Sequence, residues 1–565
     1  MQPRVWIDKV VFVDESSLQL NKNDVVVVVG PNNAGKTTFL REILANASSS
    51  TDGSLVKEST YFREGTSDEL IAWISTLARR KEGQEYETFL GISFYYENLV
   101  RMWNGPGKLE QYSRFFVYFL TTDQRLNASA PVGSFSAANE APALPIHRLY
   151  LDDRLEVTLS SYFRRAYGVD LVVDRFGGNL IPLRVGQKPA ATAEHDRASF
   201  QYMQKIRLLP FLHSQGDGMR SFAGILLTLA GQLENVLIID EPETFLHPPQ
   251  IRLLGRMLAS SDFAERQIFM ATHSGDFIRG LLESDSSRVR VVRITRDDRG
   301  AAICELSNDR LRDLWSDPLL RYSNILDGLF HEKVIICEAD GDARFYSAIA
   351  DALSDNRGGK NLDIMFTHCG GKDRVPMVIR ALRNLNVPVS CALDIDVIRD
   401  RAKFKDLVES TGGEWISIEP QWKLVVDAVG RTVPKRLTGD VVRDISLVLQ
   451  SVTSDQFPDD AAKQVELAMR ATSPWKALKA FGKAAIPPGD PTRAFSRLDA
   501  LLRSSGIYLV SEGELEGFVR SIGNHGPKWV AEVLKLNLLV DPELESARTF
   551  VSELTGMGGS PTPVR

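Results

Sequence analysis

Two groups of residues in this sequence have the types and the spacing that phosphate chemistry requires. The first is the loop Gly30-Pro31-Asn32-Asn33-Ala34-Gly35-Lys36-Thr37, which fits the pattern G-x-x-x-x-G-K-T of a phosphate-binding loop. In such a loop, glycines let the backbone wrap the phosphates, Lys36 neutralises the terminal phosphates and Thr37 holds a magnesium ion. Amides at the start of the following helix point at the negative charge. The nucleotide-binding residues predicted here are Gly30, Asn33, Gly35, Lys36, Thr37 and Thr38.

Three further features along the chain would complete a nucleotide site. An apolar run ends in Asp240, which is suited to hold magnesium through water, and Glu241, which is suited to accept a proton from the attacking water. A second apolar run ends close to His273, placed to contact the γ-phosphate. The polar segment 214–218 precedes an apolar helix and offers free amides to a phosphate. A structural histidine and a plain helix start are the alternatives, but the order of all these features favours a nucleotide site.

The second group consists of carboxylates in the second half of the chain. Glu338 follows an apolar run, Asp342 lies just beyond it, and Asp394 and Asp396 follow another apolar run. Carboxyl ends of parallel strands gather at one edge of a sheet, and residues two apart on a strand face the same side. Clustered carboxylates repel one another unless a divalent cation lies between them. The spacing therefore predicts a site for Mg²⁺, with Mn²⁺ as an alternative ion; surface carboxylates at strand ends are the competing interpretation.

Both groups need strands that end where the chemistry is done. Five valines, 25–29, lead into the phosphate loop and are typical of a strand buried on both faces, and residues 38–44 continue as a helix. Residues 5, 7, 10 and 12 are apolar and predict a short antiparallel start of a sheet. A new α/β pattern begins at residue 333, with strands over 333–337, 364–366 and 387–393.

The length of 565 residues predicts more than one domain. We expect an α/β ATPase domain over 1–310 with a largely helical insertion at about 45–205, and a connector over 311–330. A second α/β domain is expected over 331–555, with a helical insertion at about 440–502, followed by a disordered tail over 556–565. Aromatic residues between 94 and 119 belong either to a helical core or to a partner-recognition surface.

Composition sets limits on the partners. The formal net charge of −6 gives no general attraction to nucleic acid and does not exclude it. No apolar run approaches the roughly 18 residues of a membrane-spanning helix, and the first residues do not have a signal-peptide pattern. The four cysteines lie far apart, which argues against a zinc site or a disulfide framework. We expect a cytoplasmic protein without membrane contact.

Over residues 1–45 and 205–300 the sequence resembles the ABC-type ATPase heads of SMC proteins. This resemblance implies two heads that enclose two ATP molecules, and so a homodimer or a larger even-numbered oligomer. It implies that segment 214–218 of one chain closes on the phosphate loop of the other, with Ser214, Gly216 and Gly218 as binding residues. The segment has the letters SQGDG where transporters have LSGGQ. Candidates for the glutamine loop that such heads usually have are Gln84, Gln111 and Gln124.

The carboxylate group resembles a TOPRIM domain, and its pairing with an ABC-type head resembles the OLD (overcoming lysogenisation defect) family of nucleases. The family's Glu-x-x-x-Asp, Gly-Gly-Lys and Asp-x-Asp patterns fall on residues 338–342, 370–372 and 394–396. The resemblance further implies a late metal-binding glutamate at Glu516, with Glu514 as a weaker choice, and a catalytic basic residue at Lys528. The chain departs from the family with Ala339 after the first glutamate and with no glycine after the Asp-x-Asp.

These features predict an ATP-regulated, metal-dependent nuclease that hydrolyses phosphodiester bonds in DNA during bacterial defence against phage. The catalytic residues expected are Glu241, His273, Glu338, Asp394, Asp396 and Lys528, and the metal ligands are Thr37, Asp240, Glu338, Asp342, Asp394, Asp396 and Glu516. The alternatives are an ATPase sensor that waits for a defence partner or a phage factor, and an enzyme that cuts RNA, such as tRNA, on the same scaffold. No nucleic-acid reading motif decides between DNA and RNA.

Overall fold

A computed structural model describes residues 3–557, apart from 50–52, 79, 81–84, 137–141, 143, 191–195, 232, 261–262, 264, 285–286, 298–299, 307–323, 358–361, 432–437, 453, 455 and 470–473. The chain forms two compact units, residues 1–330 and 331–565. Within the described part of the chain, no helix combines the length and the apolar character that crossing a bilayer requires.

The N-terminal unit combines strands and helices in alternation. Its strands are β1 (Arg4–Phe12), β2 (Ser17–Gln19), β3 (Val25–Val29), β4 (Val56–Glu64), β5 (Glu87–Phe89), β6 (Ile92–Phe94), β7 (Val117–Leu120), β8 (Val132–Gly133), β9 (Asp170–Val173), β10 (Leu180–Ile181), β11 (Leu183–Gly186), β12 (Val236–Asp240), β13 (Gln267–Ala271), β14 (Val289–Asp297) and β15 (Gly300–Leu306). Its α-helices are Lys36–Ser48, Ser67–Ser75, Tyr96–Asn104, Thr122–Asn127, Pro145–Leu151, Asp153–Tyr167, Phe200–Arg207, Asp217–Gly231, Pro248–Ala259 and Gly275–Glu283. Short 3-10 helices lie at Glu110–Phe115, Leu212–Ser214 and Asn324–Phe330.

The central sheet of this unit has the strand order β15-β14-β3-β13-β12-β7. All neighbouring pairs are parallel except β14 and β15, which are antiparallel. The five valines of β3 are fully buried, as expected for a strand covered on both faces. Because β3, β12 and β13 run in the same direction, the phosphate loop, Asp240 and His273 all lie beyond the same edge of the sheet.

A smaller antiparallel sheet, β2-β1-β4, contains the predicted antiparallel start of the chain. Its apolar residues change phase, since Val5 and Ile7 are buried before residue 8 and Val10 and Phe12 are buried after it. The register of β1 against β4 shifts between Ile7 and Lys9, as a β-bulge does. The bulge keeps all four apolar side chains in the core although their spacing is not a strict alternation.

Segment 45–205 is less separate from the ATPase domain than the sequence indicated. β4 pairs with β1 along its length, and β7 forms an edge of the central sheet beside β12. The aromatic residues of this segment are mostly core, as the first of the two interpretations predicted: Phe94, Trp103, Tyr112, Phe115 and Phe116 are buried in one hydrophobic cluster with β1, β3 and the helix Lys36–Ser48. The segment therefore supplies part of the frame that carries the phosphate loop.

The C-terminal unit is built on a parallel sheet. Its strands are β16 (Lys333–Cys337), β17 (Ile364–His368), β18 (Val389–Asp394) and β19 (Ile507–Val510), in the order β17-β16-β18-β19. Its α-helices are Asp340–Arg357, Val375–Asn384, Arg401–Ser410, Trp415–Arg431, Thr438–Gln450, Asp459–Met469, Pro474–Phe481, Asp490–Ser504, Pro527–Val533 and Glu545–Thr555. Short 3-10 helices lie at Lys372–Arg374, Ile395–Arg399, Gly482–Ala485, Leu515–Phe518 and Pro542–Leu544.

Two boundaries in this unit differ from the sequence-based expectation. The helical segment between β18 and β19 begins at Arg401, well before residue 440, and continues to Ser504. Met557 packs into the hydrophobic core, so the tail predicted from residue 556 is ordered at its start, and 558–565 lie outside the described residues. Most of the predicted connector, 307–323, also lies outside them, and Asn324–Phe330 forms a 3-10 helix.

We expect Trp529→Ala to destabilise the C-terminal unit by about 3–5 kcal/mol, because the substitution leaves a large cavity. The Trp529 side chain is fully buried against Phe345, and its indole N–H donates to the Val519 carbonyl at 3.2 Å. Urea unfolding followed by a probe in this unit measures the change. Val540→Ala is the control, because Val540 is 70% exposed, and it should shift stability by less than about 0.5 kcal/mol. Equal midpoints for the two variants would contradict the packing described here.

Candidate functional site

The backbone of the phosphate loop has positive φ angles at three positions, two of which are glycines. Gly30, Asn33 and Gly35 have φ angles of 145°, 61° and 102°. A Cβ on Gly30 would lie 2.1 Å from the Ile294 carbonyl oxygen, so only glycine fits there. The Lys36 ammonium donates to the carbonyls of Gly30 and Pro31 at 2.8 and 2.9 Å. These residues fit a nucleotide, whose phosphates would compete with two loop carbonyls for the ammonium.

Thr37 and Asp240 lie together at the carboxyl edge of the sheet. The Thr37 hydroxyl donates to Asp240 Oδ1 at 3.2 Å. Burial raises the pKa of the Asp240 carboxyl, and the neighbouring Glu241 charge adds to the rise, while the bond from Thr37 opposes it. A hydroxyl and a carboxylate this close are suited to share one hard cation. The structure therefore brings together the two predicted magnesium ligands of the nucleotide domain.

Glu241 has an unusual backbone conformation for a residue with a side chain. Its φ of 45° lies in the left-handed region, which residues other than glycine rarely adopt. Its N–H donates to the Ala271 carbonyl at 3.0 Å, and its carbonyl accepts from Arg125 Nη1 at 2.9 Å. The Glu241 carboxylate is half exposed and lies 3.6 Å from Nδ1 of His273. Glu241 and His273 are thus adjacent, as the sequence order implied.

Glu243 is a site residue that the sequence reasoning missed. It is buried, and its Oε1 accepts from the Thr272 hydroxyl and from the His273 N–H, both at 2.8 Å. The same oxygen lies 3.4 Å from His273 Nδ1, and burial raises the pKa of the Glu243 carboxyl. Glu243 therefore holds His273 in place beside Glu241. The signal for it was a third acidic residue within four positions of Asp240.

Arg125 is a second residue that sequence reasoning missed. Its side chain is fully buried, and it supports the Glu241 backbone through the bond described above. Burial lowers the pKa of the guanidinium, and the carboxylates of Glu243, Asp240 and Glu241 raise it. The neighbouring Gln124 lies at the carboxyl edge of β7, where its side chain accepts from the Thr121 N–H and caps the helix Thr122–Asn127.

The two remaining glutamine candidates are Gln111 and Gln84. Gln111 lies in the 3-10 helix Glu110–Phe115, and Gln84 lies outside the described residues.

Segment 214–218 runs from the end of the 3-10 helix Leu212–Ser214 into the first residues of the helix Asp217–Gly231. Ser214 and Gly216 are exposed. A Cβ on Gly218 would lie 2.9 Å from the Phe245 carbonyl oxygen, so this glycine permits close packing within the chain. The segment thus offers exposed polar groups next to a buried helix, as predicted, while Gly218 also serves the fold.

In the C-terminal unit, the predicted carboxylates follow strand ends. Glu338 follows β16, Asp394 ends β18, and Asp396 lies in the 3-10 helix Ile395–Arg399. The prediction that Asp394 and Asp396 share one face of a strand is therefore wrong, because the strand ends at Asp394. Burial raises the pKa of Glu338, and the charge of Asp396, which lies in the tight turn after the strand, adds to the rise, while Lys372 opposes it.

Burial and mutual repulsion both act on these carboxyls. Burial raises the pKa of Asp394 to about 8, and the charges of Glu338 and Asp342 add to the rise, while Lys479 opposes it. Burial likewise raises the pKa of Asp342 to about 6, together with Glu338 and Glu516, although the N–H of Ala339 donates to its Oδ2 at 2.9 Å. The cluster therefore binds a proton readily, and a metal ion would replace that proton.

Two carboxylate oxygens in this cluster fit a cation directly. Glu338 Oε2 and Asp396 Oδ1 are buried and accept no hydrogen bond from the part of the chain that the structure describes. Buried polar atoms are rarely left without a partner, and a negatively charged oxygen is the least tolerable case. Mg²⁺ or Mn²⁺ prefers such oxygen ligands, so the residues present fit a divalent ion.

Two lysines form ion pairs with carboxylates of the cluster. Lys372 follows the turn of Gly370 and Gly371, whose φ angles are 72° and 128°, and its ammonium lies 2.8 Å from Asp396 Oδ2. Lys479 lies 3.2 Å from Asp394 Oδ2 and 3.5 Å from Glu514 Oε2. Sequence reasoning gave Lys479 no role, because it lies in a helix that is far from the carboxylates along the chain.

The two residues that the family resemblance added, Glu516 and Lys528, have different surroundings. Glu516 follows β19, and its Oε1 accepts from the Gly526 N–H at 2.7 Å. Ligand atoms of Glu514, Glu516 and His525 lie within 4.8 Å of one another. Lys528 is exposed at the start of the helix Pro527–Val533 and makes no ion pair with any described residue. Glu516 thus joins the carboxylate cluster, whereas Lys528 is not placed on a carboxylate.

Two family models match parts of the chain. Residues 25–279 match the family model described as "AAA domain, putative AbiEii toxin, Type IV TA system". Residues 329–396 match the model "Overcoming lysogenization defect protein-like, TOPRIM domain". No curated protein sequence is significantly similar to the chain.

The solved structures that resemble the chain include SMC heads. One is an SMC head bound to the C-terminal winged-helix domain of ScpA, at 10% identity and a TM-score of 0.33, over 55% of this chain and 99% of that chain. Another is the SMC head domain from Thermotoga maritima, at 12% identity and a TM-score of 0.29, over 54% of this chain and 100% of that chain. A third is an Smc head with an extended coiled coil bound to a ScpA domain derived from Pyrococcus furiosus, at 8% identity and a TM-score of 0.32, over 55% and 99%.

The family models establish the architecture of the chain. It carries an ATPase domain followed by an OLD-like TOPRIM domain, which confirms the predicted α/β fold class and the predicted pairing of the two domains. An OLD-like TOPRIM domain is a nuclease domain, so the chain is a nuclease with an attached ATPase domain.

The raised pKa of Asp394 predicts how stability depends on pH without metal. The folded protein keeps the Asp394 proton up to about pH 8, whereas the unfolded chain releases it near pH 3.8. The folded state therefore binds more protons between these values, and the free energy of unfolding falls as pH rises, by up to about 1.4 kcal/mol per pH unit. Unfolding in EDTA at pH 6, 7 and 8 measures this, and Asp394→Asn should flatten the dependence. Parallel pH curves for the two proteins would contradict it.

Proposed function

We propose that the chain is an ATP-regulated, divalent-metal-dependent nuclease that hydrolyses phosphodiester bonds in DNA as part of bacterial defence against phage. The observation that supports this most strongly is the carboxylate cluster at the edge of the TOPRIM sheet, with two buried oxygens that lack partners among the described residues. A bound Mg²⁺ or Mn²⁺ would activate water and stabilise negative charge on the scissile phosphate. The ligands proposed for it are Glu338, Asp342, Asp394, Asp396 and Glu516.

The residues of the chain have separate tasks in this proposal. Glu338 and Asp396 supply the two buried oxygens. Asp342 is oriented by the Ala339 N–H, and Glu516 by the Gly526 N–H. Lys372 lies on Asp396 and supplies positive charge beside the phosphate. Lys528, exposed on the next helix, is proposed to reach the nucleic acid backbone.

The nucleotide domain is proposed to act as a switch. Lys36, Thr37 and Asp240 would hold ATP and its magnesium, and Glu241 would take a proton from the attacking water. Arg125 and Glu243 hold Glu241 and His273 in position. ATP would join two heads into a homodimer or a larger even-numbered assembly, and so change the state of the nuclease domain. We place the protein in the cytoplasm, away from membranes, with a defence partner or a phage factor as its trigger.

RNA, in particular tRNA, is the other substrate class for the same cluster, and a sensor that needs a partner is the other mode of action. Both are decided by the experiment that tests the proposal.

We expect Glu338→Gln to reduce cleavage by at least 100-fold and to leave ATP binding unchanged, because the carboxylate serves only the metal. The assay uses plasmid DNA and total tRNA, with Mg²⁺ or Mn²⁺, with and without ATP. Asp351→Asn is the matched control, since Asp351 is an exposed carboxylate on the same helix as Asp342. Lys36→Ala should retain the chemistry and lose the effect of ATP. Cleavage by Glu338→Gln at the wild-type rate would disprove the assignment, and cleavage of tRNA alone would move the substrate to RNA.

We expect Ser214→Arg to prevent ATP-dependent association of heads. Ser214 is exposed, so a large side chain leaves the fold of its own chain intact and blocks the approach of a second phosphate loop. Light scattering after size-exclusion chromatography, with ATP and in a Glu241→Gln background, measures the mass. Ser161→Arg, an equally exposed change on the helix Asp153–Tyr167, should associate normally. Association of Ser214→Arg like that of the control would exclude this segment from the contact.

A further inference from the structure

We infer that the Lys479 ammonium serves as a permanent cation of the nuclease centre. It takes the position between Asp394 and Glu514 that a second divalent ion would otherwise occupy. The inference rests on the proposed function and specifies its metal requirement: the centre takes one exchangeable divalent ion and supplies the other positive charge itself.

The Lys479 ammonium lies between two acidic groups. Lys479 Nζ lies 3.2 Å from Asp394 Oδ2 and 3.5 Å from Glu514 Oε2. Asp394 ends β18, whereas Glu514 follows β19, so one ammonium joins two neighbouring strand ends. A cation shared by carboxylates from two strands has the role that a bridging metal ion has in other acidic centres.

Backbone contacts fix the helix that carries Lys479 against the turn that follows β19. Lys479 lies in the helix Pro474–Phe481, and the residues after that helix dock on the turn that follows β19. The Lys483 N–H donates to the Ser511 carbonyl at 2.8 Å, and a Cβ on Gly482 would lie 2.0 Å from that same carbonyl oxygen. A Cβ on Gly513 would lie 2.0 Å from the Lys479 carbonyl oxygen. Two glycines with positive φ therefore allow the backbones to touch, and no side chain separates the helix from the turn.

The same turn also contacts the strand that carries Asp394. The Ile395 N–H donates to the Gly513 carbonyl at 3.1 Å. Lys479, Gly513 and the backbone after Asp394 thus form one connected unit. Main-chain contacts therefore hold the backbone of Lys479 against the cluster, and the side chain completes the approach through its ion pairs with Asp394 and Glu514.

Positive charge is unevenly distributed among the carboxylates of the cluster. Lys479 serves Asp394 and Glu514, and Lys372 serves one oxygen of Asp396. The oxygens without partners among the described residues belong to Glu338 and Asp396, whereas the ion pairs of Lys479 are with Asp394 and Glu514. One divalent ion at Glu338 and Asp396 would satisfy these two oxygens, while Asp394 and Glu514 already have a cation.

The test is the number of Mn²⁺ ions bound by the full-length, nucleotide-free protein, measured by isothermal titration calorimetry and by the EPR signal of free Mn²⁺. We expect Lys479→Met to bind one more Mn²⁺ than wild type, because the oxygens that Lys479 contacts, Asp394 Oδ2 and Glu514 Oε2, become available. Lys479→Arg keeps the charge and should bind the wild-type number. Lys476→Met is the matched control, an exposed lysine on the same helix, and should also bind the wild-type number.

A second readout follows cleavage. Lys479→Met should lose at least 30-fold of the activity at low Mn²⁺ and recover at least threefold when the second ion binds at high Mn²⁺, whereas Lys476→Met should cleave like wild type. An unchanged Mn²⁺ number in Lys479→Met, with a fold confirmed by near-UV circular dichroism, would overturn the inference even if wild type cuts DNA. If no protein cuts nucleic acid but Lys479→Met binds the additional ion, the proposed function fails and the assignment of Lys479 stands.

Discussion

Repulsion between carboxylates at the edge of one parallel sheet is the constraint on which the C-terminal unit depends. Glu338, Asp394 and Asp396 are brought together by the ends of β16 and β18, and their burial makes that repulsion stronger. Lysines from two other segments offset part of this repulsion, and one oxygen each of Glu338 and Asp396 is left for a metal ion. Glycines place both lysines. Gly370 and Gly371 form the turn before Lys372, and Gly482 and Gly513 allow the close backbone contacts next to Lys479.

The N-terminal unit solves a related problem with a different set of residues. Its carboxylates are also at strand ends, but a buried guanidinium, Arg125, supports the backbone of Glu241, and Glu243 accepts two hydrogen bonds beside His273. Asp240 shares a hydrogen bond with Thr37 of the phosphate loop. In both units, then, the residues proposed for chemistry are held by neighbours that sequence patterns do not single out.

Much of the frame could be predicted because buried parallel strands are continuous apolar runs. β3, β12, β13, β16 and β18 were all found in this way, and each prediction located the residues that follow the strand. β7 and β19 were not found, because four-residue strands among aromatic or helical neighbours have no distinguishing period. Lys479 and Arg125 could not be found either, since their roles arise only when distant segments dock. The face shared by Asp394 and Asp396 was predicted from strand alternation, which fails where a strand turns into a 3-10 helix.

The central claim is that the carboxylate cluster of the TOPRIM domain is a cation-compensated centre for phosphodiester hydrolysis. Anomalous diffraction from nucleotide-free crystals grown with Mn²⁺ tests it most directly, because it locates the ions without reference to activity. The account predicts Mn²⁺ bound by Glu338 and Asp396, with the Lys479 ammonium still on Asp394. Crystals in which Mn²⁺ is bound elsewhere in the chain and is absent from Glu338, Asp394 and Asp396 would contradict it.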